Sequence, residues 1–302
     1  MKKEKEEMLD IRTVCECNRC LGAQTLHPQV ALINLECPGL AQEAVKFEFY
    51  AVLLIEECPD GCRCCGRRYY DYDSATMVFL TPGEMFRMSG ANALPDKGWL
   101  LVFDPALLPR TPSKGCIGGY TFFGYGKDEA LHLSCRETAS VTCCLENIEE
   151  ELHHPVDGYT STILSRRIGL LLDYCSRYYE RQFITREDIH KALLSRFSQA
   201  VEAYVSAGRL QHAPMPQPSD FAPQLGLSAA YLCDLLRFET GQTFSAYIRS
   251  KQLHVAKHLL ASTNDPLAAV AQRVGFPSVQ HFVSLFKKVA GVSPTEYRCL
   301  RN

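Results

Sequence analysis

The sequence predicts an α+β protein: a small antiparallel β-barrel, then a helical linker, then an all-α domain carrying two helix-turn-helix motifs. Three observations predict it. Between Gln29 and Phe103, short segments rich in β-branched and aromatic residues alternate with turn signals. From about Leu133 the apolar residues recur at three- and four-residue steps instead. After the proline-bearing stretch GRLQHAPMPQPS, a pair of short helical patterns punctuated by Gly and Ser occurs twice.

Composition is consistent with this plan. A chain of 302 residues with 46% hydrophobic and 22% charged residues can bury two cores. It holds no run of about 18 apolar residues, so no membrane span is expected. MKKEKEEMLDIR lacks the apolar stretch of a secretory signal, which places the protein in the cytoplasm. The net charge of −2 is unevenly spread. From Pro214 onward nine Lys/Arg face five Asp/Glu, whereas the preceding part carries 23 against 29. A polyanion would therefore meet the C-terminal end.

In chain order, residues 1–23 read as a charged, Cys-bearing tail. The barrel is expected over 24–133, with strands in QVALINL, VKFEFYAVLLI, RRYYDY, TMVFLTP and WLLVF. Pro-Asp-Gly at 59–61, Thr-Pro-Gly at 81–83 and Asp-Lys-Gly at 96–98 separate them, and the glycine-bracketed YTFFGY closes the region irregularly. The helical linker is expected over 134–207. Its helices run from Ser134 to His154, Thr160 to Gln182 and Arg186 to Ala207, and the first two either pack on the barrel or form a dimer seam. The C-terminal domain then spans 208–302.

Within that domain Ser219 and Ser228 are candidate caps of the first pair, with Gly226 in its turn and Gly241 at its end. A long helix follows from about Phe244 to Leu260. Asp265 with Pro266 starts the second pair, Gly275 breaks it, Ser278 caps the next helix and Gly291 stops it. A short helix, a Gly-containing turn and a second helix make a helix-turn-helix. In the helix after Ser278, Phe282, Leu285, Phe286 and Val289 share one stripe. Gln280, Ser284 and Lys287 lie opposite, flanked by His281 and Lys288. Amides and hydroxyls near a helix start suit base edges in the major groove, and lysines further along suit phosphates. A solvated face would look similar in one helix; two repeats with the same punctuation argue for DNA.

LSAAYLCDLLRFETG (227–241), AKHLL (256–260), VAQRVGF (270–276) and HFVSLFKKVAGVSPTEYR (281–298) together resemble the DNA-binding domain of AraC/XylS-type transcription regulators. GRRYYDYDSATMVFLTPGE and FFGYGKDEALHLS resemble the sensor half of one subgroup. The resemblance implies a cupin-like barrel that senses an unknown small-molecule effector, double-stranded promoter DNA as partner, and a homodimer, with RNA polymerase a candidate partner. It places base contacts of the second recognition helix on Val279, Gln280, His281 and Ser284, beside the phosphate candidates Lys287 and Lys288. Those of the first fall on Ala230, Cys233 and Asp234, with Arg237 further along. That first set is poor in donors. The family often has Arg where Gln252 stands, and Pro223 falls at the end of a first helical turn; both departures would weaken the first half of the domain.

An enzyme is the alternative from another class. Metal cupins pair two His one residue apart with a Glu and a distant His. No His-x-His occurs, and His27 is the only histidine before His132. Fifteen cysteines raise a thiol or soft-metal sensor as a further alternative. Cys58, Cys62, Cys64 and Cys65 are candidate ligands for zinc or another soft metal, with Arg63, Arg67 and Arg68 beside them to favour thiolates. Unliganded thiols are the default, and no other cofactor is expected.

Overall fold

A computed structural model describes residues 8–35, 44–56, 64–68, 70–87, 97–108, 117–211 and 215–301. The chain divides into two compact units, 1–186 and 187–302.

The N-terminal unit holds two sheets. Strands β2 (Val30–Asn34), β4 (Tyr50–Ile55), β5 (Ala75–Leu80), β7 (Gly98–Phe103) and β8 (Leu131–Leu133) form a five-stranded antiparallel sheet in the order β2-β7-β4-β5-β8. Strands β1 (Met8–Ile11), β3 (Ala44–Phe47) and β6 (Met85–Arg87) form the other, in the order β1-β3-β6 with β1 and β3 parallel. Ala31, Ile33, Leu53, Val78, Leu100 and Val102 pack with Ile11, Val45 and Phe47, so a core lies between the sheets. The large sheet is buried on its other face too. There Phe79 meets Phe122 at 4.5 Å and Tyr179 at 6.0 Å, and Met77 Sδ lies 3.7 Å from Cys175 Sγ. Burial on both faces explains why ATMVFL reads as a continuous apolar run. Helix α2 (Cys135–His153) starts in a capping box between Ser134 and Glu137, and α3 (Thr160–Thr185) packs beside it.

Three expectations are corrected in this unit. The barrel is not closed: among the described residues β2 and β8 end the large sheet as edges. From residue 8 the charged tail is instead structured. Strand β1 pairs with β3, and helix α1 (Val14–Cys20), capped by Thr13, buries Val14 and Cys17. RRYYDY is no strand in its described residues. Asp71 accepts from the Arg68 N–H at 2.8 Å, closing a turn, and both its carboxylate oxygens hold the Arg186 guanidinium, at 2.9 and 2.7 Å.

The C-terminal unit opens with α4 (Glu187–Ser206), ahead of the proline-bearing stretch. Its Phe197, Val201 and Val205 sit in one core with the helices that follow. These are α5 (Ala222–Leu225), α6 (Ala229–Thr240), α7 (Phe244–Ser262), α8 (Leu267–Arg273), α9 (Val279–Ala290) and α10 (Pro294–Arg301). Two expected caps are displaced: Phe221 occupies the cap position of α5 and Pro266 that of α8, neither with a side-chain bond. Pro223 falls in the first two positions of α5, where a missing N–H costs nothing. No helix among the described residues is long and apolar enough to cross a membrane.

Candidate nucleic-acid interface

The second helix pair is built around its turn. Gly275 stands at φ +81°, and a Cβ there would come within 2.3 Å of Leu210 Cβ. Only glycine fits, for conformation and for room together. Beyond the turn, the Ser278 hydroxyl accepts from the His281 N–H at 3.1 Å and starts α9. Phe282 and Phe286 are fully buried, with ring centroids 5.6 Å apart, and Phe282 also meets Phe276 at 5.2 Å. Gly291, at φ +77°, ends the helix.

This anchoring fixes the opposite face. Gln280, His281, Ser284, Lys287 and Lys288 are all exposed, and Val279 is half-buried. The His281 ring leans on Phe276 at 5.7 Å. Lys287 and Lys288 lie in the last turn, where the helix dipole favours cations. The face therefore offers an amide, an imidazole and a hydroxyl toward its start, and two ammonium groups toward its end.

The first pair is capped alike but presents less. The Ser228 hydroxyl accepts from the Tyr231 N–H at 3.1 Å, and Leu232, Leu235 and Leu236 are buried. Ala230, Cys233 and Asp234 are half-buried, and only Arg237 of the expected set is exposed. Burial, with Asp234 adding to it, pushes the Cys233 thiol above its ordinary pKa, so it stays protonated near neutrality.

Both sets of candidate residues thus lie on the second, serine-capped helix of a helix pair in one unit. The cysteine set is different. Cys58 and Cys62 lie outside the described residues, as does the side chain of Cys64, while Cys65 is half-buried.

One residue with a part in this architecture escaped the sequence reading of its role. Gln252, expected to matter for the first half of the domain, serves the second. It lies on α7 with 2% of its surface exposed, and its Nε2 donates to the Val274 carbonyl at 2.9 Å. The available signal was a polar residue on the stripe of Ile248, Ala256 and Leu259.

Residues 221–299 match the family model of a helix-turn-helix domain. The xylose operon regulatory protein of Escherichia coli (strain K12) is 38% identical over 74 residues, covering 24% of this chain and 19% of that protein. The arabinose operon regulatory protein of Salmonella typhimurium (strain LT2) is 31% identical over 118 residues, 39% of this chain and 41% of that one. The chain therefore matches less than half the length of either of these curated relatives. Among solved structures, a xylose-binding transcription activator overlaps 37% of this chain and 27% of its own, at 25% identity and a TM-score of 0.33. ToxT from Vibrio cholerae overlaps 89% and 97%, at 14% identity and a TM-score of 0.29. Overlaps that loose carry no inference about the arrangement of this chain.

Proposed function

We propose that this chain, whose C-terminal region is a helix-turn-helix domain of the AraC/XylS type, is a transcription regulator that binds double-stranded promoter DNA through two helix-turn-helix motifs. The motifs are α5–α6 and α8–α9. The single observation that carries the reading is α9: buried phenylalanines hold it from behind, while Gln280, His281, Ser284, Lys287 and Lys288 stand exposed in front. Gln280 and Ser284 read base edges in the major groove, Val279 and His281 flank them, and the two lysines neutralise phosphates. Helix α6 adds Arg237 as a phosphate contact, with Ala230, Cys233 and Asp234 against the groove.

In this reading the N-terminal unit senses a small-molecule effector, and a homodimer matches paired half-sites. RNA polymerase is the further partner on promoter DNA. The cavity lined by Phe79, Glu84, Phe122, Tyr125, Lys127 and Tyr179 is about 10 Å³, the room of one water. An effector entering there would have to displace the aromatic segment. The matched relatives are operon regulators, which favours this reading over a metal enzyme.

Genome-wide DNA capture with the full chain, with and without candidate effectors, tests the proposal. It expects a shared motif in the captured fragments and occupancy that changes with an effector. Capture of fragments without a common motif would contradict it.

A further inference from the structure

Gln252 has a strong constraint and no assigned work. It is a polar side chain in the core of the C-terminal unit, set among Ile248, Leu253, Val255 and Ala256 on its own helix. Burying an amide there is unfavourable unless its groups are bonded. Its Nε2 donor goes to one place, the carbonyl of Val274 at 2.9 Å. Val274 caps the C-terminal end of α8 just before the Gly275 turn and is itself fully buried, so its carbonyl needs a partner that water does not supply.

The same turn is closed from the other side. Leu210, in the turn that follows α4, sits against Gly275, with its carbonyl oxygen 3.0 Å from where a Cβ would stand. The Phe276 N–H bonds to the Ala271 carbonyl at 2.9 Å and the Gly275 N–H to that of Gln272 at 3.0 Å. Three residues after Gly275, Ser278 caps α9. A displacement of the turn is therefore carried directly into the reading helix, and base-edge hydrogen bonds tolerate only about half an ångström of error.

The first pair has a looser counterpart. There Arg196 of α4 donates to the Gln224 carbonyl at 3.1 Å, an exposed bond, and a Cβ on Gly226 would meet nothing within 4 Å.

We propose that Gln252 is a positioning residue for DNA reading: its side-chain amide clamps the turn ahead of α9 and fixes where Gln280 and Ser284 meet the bases. This rests on the DNA-binding reading given above. Gln252 touches no DNA, so it acts on selectivity and leaves the phosphate contacts alone.

The test uses the full chain and two duplexes of equal length, the site that the wild type selects and a scrambled version. Gln252→Met keeps length and bulk but has no donor; Gln252→Arg restores one. For a folded Gln252→Met, the affinity ratio between selected and scrambled duplex should fall about tenfold, the size of one lost base contact. Binding to the scrambled duplex and the salt-dependence slope should stay at wild-type values. Gln252→Arg should bring the ratio back to within about threefold of wild type. A folded Gln252→Met with wild-type selectivity overturns the clamp, as does a drop that Gln252→Arg fails to reverse. If Gln252→Met does not fold, Gln252→Leu, which also has no donor, replaces it with the same expectation. If neither folds, Gln252→Arg decides: wild-type selectivity supports the clamp, and lost selectivity in the folded protein overturns it. A wild type that prefers no duplex brings down the DNA reading itself, whereas selectivity shared by wild type and Gln252→Met brings down only this inference.

Discussion

Ser228 and Ser278 make the same bond at the same distance, each hydroxyl accepting from a backbone N–H three residues on at 3.1 Å. Gly241 and Gly291 end the two helices in the same left-handed conformation. Yet behind identical punctuation, α6 shows half-buried Ala230, Cys233 and Asp234, while α9 shows exposed Gln280, His281 and Ser284. The turns differ likewise: Gly226 faces open space and Gly275 is wedged against Leu210. Repetition of a motif fixes the shape of both helix pairs but not their work. The pair whose turn is held on both sides is also the pair with donors to present, and precise reading needs both.

The turns give the largest expected difference. Gly275→Ala combines positive-φ strain with a Cβ forced onto Leu210, and should destabilise the C-terminal unit by about 2–5 kcal/mol. Gly226→Ala carries only the strain, about 1–2 kcal/mol. Urea denaturation of both variants, followed through the C-terminal transition, compares them. Equal losses would erase the distinction between the turns.

Base reading comes next. Gln280→Ala should weaken binding to the selected site by about 1–3 kcal/mol, and the same change at Cys233 by distinctly less. Titration of labelled duplex at fixed salt measures both. The caps should then show parity: Ser228→Ala and Ser278→Ala each cost about 1 kcal/mol of stability. A clear inequality in melting would mean that the two helix starts are less alike than their bonds. Smallest is the effect of Lys287→Ala or Lys288→Ala, each reducing the salt-dependence slope by roughly one without changing which sequence is preferred.

Helix α9 was legible in advance because its causes are local. Phe282 and Phe286 fall on one stripe, Ser278 and Gly291 bracket them, and no distant partner is needed to set the helix. The misreadings share the opposite property. Strand β1 was hidden among charges because what makes it a strand is parallel pairing with β3, over thirty residues away. RRYYDY has strand-like aromatics, but the ion pair of Asp71 with Arg186, 115 positions on, settles it as a turn. Strands β6 and β8, of three residues each, are too short for any periodicity to show. Whether the sheet closes is likewise decided by which edges meet, and strand patterns leave that open. Gln252 stood in plain view as a polar residue on an apolar stripe, but its partner Val274 is known only once α7 and α8 are packed.

The central claim is that α9 reads sequence and α6 chiefly holds position, and binding-site selection on three proteins tests it most directly. Wild type, Gln280→Ala and Cys233→Ala are each offered the same randomised duplex pool at one salt concentration. The account predicts that Gln280→Ala relaxes the selected motif at a single position, most simply an adenine whose N6 and N7 the amide contacts. Cys233→Ala should return the wild-type motif. A motif untouched by Gln280→Ala but rewritten by Cys233→Ala would contradict it.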